Sequence, residues 1–205
     1  MTYSSFVLSI SFAGKSEPNS PKSGQGPHNG FALRRLLTET LVAHMNDTAA
    51  DISLQFFTPS SPRSQLAEVH QAMARSTFCL QPPGDSPTRK GFFDSILLGC
   101  IPVIFRRGTY KRIWKGQVEL EELAVIVDEK ELLDAEGGDV IERLRLVDEE
   151  VVRKKREAMA MLAERVQYAV PMSGAELLRY GGSWTDDAVG AMLRQLVLLK
   201  EQGDQ

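Results

Sequence analysis

Apolar positions along the chain switch between two periods. Phe6, Leu8, Ile10 and Phe12 alternate with polar or small residues, the period of a half-buried strand. After a long polar stretch, Leu33, Leu36, Leu37 and Leu41 fall on one face of a helix, and "DISLQFF" returns to strand. The pattern predicts a second helix over about Gln65 to Arg75 and a third strand over 78 to 82. A helix from about Arg89 to Leu98 turns Phe92, Ile96 and Gly99 toward the sheet, "IPVIF" is the fourth strand and "LAVIVD" the fifth. Beyond Asp139 the charged segment is mostly helical. Such alternation predicts an α/β fold, a Rossmann-like doubly wound parallel sheet. Residues 1–138 are expected to form the sheet domain, and residues 139–205 a C-terminal helical extension packed on it.

Composition narrows the functional classes. With 205 residues the chain buries one sizeable core and not two large domains. A formal charge of -3 gives no general attraction to nucleic acid or anionic lipid, so no nucleic-acid partner is expected and recognition is local. No run reaches the roughly 20 apolar residues of a membrane span, and the alternating start is a strand rather than a signal peptide. Cys79 and Cys100 are too few for a disulfide framework or a cysteine zinc site. Lying in apolar segments, they are expected as buried thiols, with a pairing between them left open.

A sheet of this kind binds ligands outside the carboxyl ends of its strands. Three segments qualify: Gly14 to Ser16, Gly84 to Lys90, and Phe105 to Tyr110. The first, "SISFAGKS", imitates the end of a P-loop, but Ser9 replaces the first glycine and "EPNSP" follows where a helix must begin. Gly14 is therefore read as a sharp turn beside a ligand, and Lys15 as a phosphate partner or a solvated charge. The long loop "AGKSEPNSPKSGQGPHNG" then leads to Asn29, a candidate helix cap. The third segment, "RRGTYKRIWKG", offers Tyr110 and Trp114 for stacking on a ligand or for surface packing. The later "RKKRE" run is a solvated helix face.

The second segment carries the most chemistry. In "PPGDSPTRKG", Gly84 is free to turn, Pro87 fixes a dihedral, and the Ser86 and Thr88 hydroxyls can cap a helix or donate to an anion. Helix-start amides with Arg89 and Lys90 would hold a diphosphate without metal. Asp94 follows a little over one turn into the helix, where a carboxylate can accept both hydroxyls of a ribose. The alternative is a surface ion pair of Asp94 with Arg89 or Lys90.

"FCLQPPGDSPTRKGFFDSILLGCIPVIF" resembles the signature of the exostosin family, glycosyltransferase family 47, and above all its plant and algal cell-wall members. The likeness is dense over residues 76 to 105. "SFVLSISFAG" resembles the family's opening strand, "LRRLL" places Arg34 at the family's arginine, and "VPMSGAELL" and "DDAVGAML" follow its usual order. The resemblance implies one half of a GT-B fold: the Rossmann-like domain that holds a nucleotide sugar, usually a UDP-sugar. By the same resemblance Asp94 contacts ribose, Gly99, Pro102 and Val103 match the pattern after it, and Arg89 with the Ser86 and Thr88 loop holds the diphosphate. It also implies inverting transfer to a glycan or glycoprotein acceptor, no cofactor or essential metal, and the Golgi membrane or lumen.

Against the family's pattern, the acceptor-binding N-terminal domain is expected to be missing from this chain. No general base stands out. His28 lies in the long loop, His44 ends a helix and His70 sits mid-helix, without partners visible in sequence. Two functions follow: a nucleotide-sugar transferase present in part, or a non-catalytic nucleotide-sugar-binding module supporting a partner transferase.

Overall fold

The computed structural model describes residues 8–14, 30–45, 50–56, 62–84, 88–106, 119–134, 139–167, 188–190 and 192–193. Its centre is a parallel sheet of β1 (Leu8–Gly14), β2 (Ala50–Phe56), β3 (Phe78–Gln81), β4 (Ile101–Ile104) and β5 (Val125–Ile126), in spatial order β2-β1-β3-β4-β5. All five predicted strands are present. Strand β1 pairs with β2 from Leu8↔Ala50 to Gly14↔Phe56, and with β3 from Ile10↔Phe78 to Phe12↔Leu80. The chain thus leaves β1 toward one edge and returns on its other side. Loops diverge at such a reversal, and a crevice opens between the carboxyl ends of β1 and β3.

Parallel crossovers are right-handed, so opposite directions of travel put successive helices on opposite faces. Helix α1 (Phe31–His44) packs with α5 (Glu129–Leu133) and α6 (Val140–Arg145). Helix α2 (Pro62–Arg75) packs on β1 and on α3 (Lys90–Leu98), which in turn meets α7 (Glu149–Leu162). The period-two pattern sorts the strand side chains. Leu8, Ile10, Phe12, Phe78 and Leu80 join Leu33, Leu37 and Leu41 in the main core, while Cys79 packs with Val69, Met73 and Cys100 in a smaller cluster.

The C-terminal helices contribute Val140, Ile141, Leu144, Val152, Met159 and Leu162 to the main core. Two cations of α7 close the ends of other helices. Arg156 Nε donates to the Gly99 carbonyl at 3.1 Å, at the negative end of α3. Lys155 Nζ donates to Ala124 O at 2.9 Å and to Glu121 O, at the end of α4 (Leu120–Leu123). Burial pushes the Lys155 ammonium below its ordinary pKa, with Glu121 and Glu122 pulling the other way. Beyond α7 the chain makes a 3-10 turn, Ala163–Val166.

The structure corrects three local expectations. Cys79 and Cys100 are not separate thiols: they form a disulfide with Cα atoms 5.8 Å apart. β3 and β4 are neighbours, with Phe78 opposite Ile101, so Cys79 and the residue before β4 are brought within bonding reach. Gly99 does not face the sheet but ends α3 with φ 70, a left-handed cap whose missing Cβ would meet open space. The N-cap positions of α1 and α3 are held by Gly30 and Arg89, neither of which caps through its side chain. Thr88 therefore lies one residue outside the α3 cap, and Asn29 is outside the described residues.

Candidate functional site

The site begins where β3 runs into Pro82 and Pro83. Prolines donate no backbone hydrogen bond, so this loop is held through its carbonyls. Arg34, only 8% exposed, donates from Nε to Pro83 O at 2.9 Å, and its guanidinium carbon lies 5.4 Å from the Phe31 ring centroid. Arg89 donates to Pro82 O at 3.2 Å and to Ala13 O at 3.0 Å, joining the end of β1 to the loop after β3. Gly30 makes room for this packing, since a Cβ there would stand 2.3 Å from Pro83 O. Arg89, expected at the diphosphate, thus also joins the crevice loop to β1, while Arg34, the family's arginine, holds the loop through Pro83. Arg34→Met should keep the aliphatic packing but leave the Pro83 carbonyl without that donor, costing about 1.5 to 3 kcal/mol in urea unfolding. A change below about 0.5 kcal/mol would remove Arg34 from this role.

Helix α3 is fixed to the floor by a buried polar chain. Gln81 Nε2 donates to Ser95 Oγ at 3.1 Å, and Ser95 Oγ donates to Gly91 O at 2.6 Å. Gly91 has no Cβ for a reason: one would meet Gln81 Oε1 at 2.6 Å. Its first turn therefore has a set position beside β3, with Lys90, Gly91 and Asp94 on the crevice. Lys90 Nζ lies 2.6 and 2.7 Å from the two oxygens of Asp94. The surface ion pair anticipated as an alternative is present, yet the carboxylate also lines the crevice. Asp94 is 17% exposed against 72% for Lys90.

The crevice holds about 380 Å³, within the size range of ligand clefts. Gly84, Thr88, Arg89, Lys90 and Asp94 come together around it. Arg34 stands behind the loop, and Gly14 ends β1 in register with Phe56. Lys15, Ser86, His28, Tyr110 and Trp114 lie outside the described residues. In the third loop segment, Arg106 forms a bidentate pair with Glu129 at the start of α5, Nη2 to Oε1 being 2.8 Å. That hydrogen bond raises the Arg106 pKa above its ordinary value, against the effect of burial.

Sequence reasoning missed the opposite wall of the crevice: Leu66, Val69 and Met73 of α2, with Ser11 on β1. The small polar residues Ser9 and Ser11 alternating with Leu8 and Ile10 were the available signal. It also left two histidines without partners. His44 Nε2 lies 3.2 Å from Asp139, whose other oxygen caps α6 at the Ile141 amide. His70 Nε2 lies 3.6 Å from Asp94 Oδ2.

A family model, the exostosin GT47 domain, matches residues 7–142, which hold the whole sheet and the crevice. The chain belongs to the exostosin GT47 family. Several proteins of Arabidopsis thaliana are similar to this GT47 chain. A probable xyloglucan galactosyltransferase is 45% identical over 98 residues, 47% of this chain and 20% of that protein. A xyloglucan-specific galacturonosyltransferase is 35% identical over 138 residues, 66% of this chain and 18% of its own length. A xyloglucan galactosyltransferase is 31% identical over 169 residues, 82% of this chain and 25% of that protein. The chain thus spans about a fifth to a quarter of these curated relatives. Among the described residues no helix is long and apolar enough to cross a membrane.

Proposed function

We propose that this GT47 chain is the donor-binding part of a glycosyltransferase that moves a sugar from a UDP-sugar to a glycan. The observation that carries the reading is the meeting of Asp94 with the α3 start on one crevice at the β1/β3 switch. An acid that can take both ribose hydroxyls stands one turn from amides and cations suited to a diphosphate. In this reading Lys90, Arg89 and the amide end of α3 neutralise the leaving UDP, so the site needs no divalent metal. The apolar wall of Leu66, Val69 and Met73 excludes water beside the nucleoside. An acceptor domain supplies the facing wall and the base that takes the acceptor proton. The names of the relatives support a xyloglucan-type acceptor. The Cys79 to Cys100 bridge favours an oxidising compartment, in keeping with the Golgi lumen.

Calorimetry with UDP, with and without EDTA, tests the donor site. We expect saturable heat that chelator leaves unchanged, and weaker binding of uridine than of UDP. No heat at millimolar UDP from a folded sample would overturn the reading. Heat that vanishes with EDTA would overturn its metal-free form.

A further inference from the structure

We infer that His70 is a positioning residue for Asp94, taking over the carboxylate when Lys90 leaves it for the diphosphate. The inference rests on the donor reading above and adds the residue that makes its acid clamp workable. Three observations on the crevice carry it. First, Lys90 Nζ occupies both Asp94 oxygens, at 2.6 and 2.7 Å, on the edge where a ribose diol must bind. The clamp and this ion pair exclude each other. Second, the pair is easily exchanged. Lys90 is 72% exposed and joined to Asp94 only as an i,i+4 neighbour, a weak contact on a solvated helix surface. A diphosphate at the α3 start is the stronger partner for that ammonium. Third, Asp94 is 17% exposed, and losing Lys90 would leave a partly desolvated carboxylate without compensation.

His70 meets that need. Its Nε2 is buried and has no hydrogen-bond partner among the described residues, although it lies 3.6 Å from Asp94 Oδ2. A buried, unsatisfied ring nitrogen is uncommon, because desolvating it costs free energy unless a partner is within reach. A shift of roughly half an ångström brings the pair to hydrogen-bond distance. Leu66, Val69 and Met73, the crevice-lining residues of the same helix, are apolar and can accept no strong hydrogen bond from the ring. With Nε2–H donating to Oδ2, the carboxylate keeps its orientation and charge while its free edge accepts the two hydroxyls. The nucleotide therefore exchanges one partner of Asp94 for another, Lys90 turning to phosphate and His70 closing from the side.

Dissociation constants for UDP and uridine on the full chain test this, with His70→Ala, His70→Gln and Lys90→Ala beside the parent and thermal melts confirming folded samples. His70→Ala should weaken both ligands by the same factor, about tenfold, the scale of one hydrogen bond to a charged group. His70→Gln, whose amide nitrogen falls near the position of Nε2, should recover most of it. Lys90→Ala should weaken UDP but bind uridine more tightly than the parent, since it frees the carboxylate edge without removing a uridine contact. If the parent binds both ligands but His70→Ala binds uridine within twofold of it, the positioning role is wrong. It is also wrong if the loss is confined to UDP, or if Gln is no better than Ala. A parent that binds neither ligand overturns the donor reading itself, and this role with it.

Discussion

Replacing Cys79 and Cys100 together by alanine should lower folding stability by about 3 kcal/mol, the largest single loss expected in this chain. The bridge joins cysteines 21 positions apart in sequence, and a cross-link of that span removes about that much unfolded-chain entropy. The folded-state contribution has the same sign. Cys79 and Cys100 are 1% and 0% exposed and pack with Val69 and Met73 under α2, where Ser11 Oγ also lies 3.1 Å from Cys79 Sγ. Shortening both side chains adds a small void beneath the crevice wall. Urea unfolding of the parent, the double variant and the parent with reductant checks this. The reduced parent and the double variant should shift to lower urea together. An unchanged midpoint in reductant, with thiol titration showing the bridge open, would mean that the bridge does not stabilise this fold.

Asp94→Asn is expected to weaken uridine by about 2 to 3 kcal/mol, because hydrogen bonds accepted by a carboxylate are roughly that strong and an amide offers only one acceptor oxygen. The loss for UDP should be smaller. Removing the carboxylate releases Lys90 Nζ, now held at 2.6 and 2.7 Å, to the diphosphate, which offsets part of the cost. Thermal stability should move little, since Lys90 is mostly exposed and such pairs contribute a few tenths of a kcal/mol. Titrating both ligands against parent and variant decides the matter. A variant that loses UDP while retaining uridine would place Asp94 on the phosphates and not on the ribose.

The alternation of two hydrophobic periods by itself determined the layout of this chain. Leu8, Ile10 and Phe12 at period two, and Leu33, Leu37 and Leu41 at helical spacing, could bury their apolar faces only against each other, and they do. The crevice was legible for the same reason: once the strands are parallel, their carboxyl ends and the following loops must gather on one side. The segment from Gly84 to Asp94 is continuous in sequence, so its grouping of basic and acidic residues could be read directly. Side-chain partners across the fold could not. Arg34 and Pro83 are 49 residues apart and Arg89 and Ala13 are 76 apart, and nothing local shows that these arginines hold backbone carbonyls. The Cys79 to Cys100 bridge depends on β3 and β4 lying side by side, a fact of strand order. His70 meets Asp94 because α2 and α3 share a face of the sheet, which right-handed crossovers impose on the assembled chain. Periodicity reports which face a residue uses, so sequence alone settled the elements and the floor of the site. Only tertiary structure decided which residue stands opposite, because that depends on the order and handedness with which the elements pack.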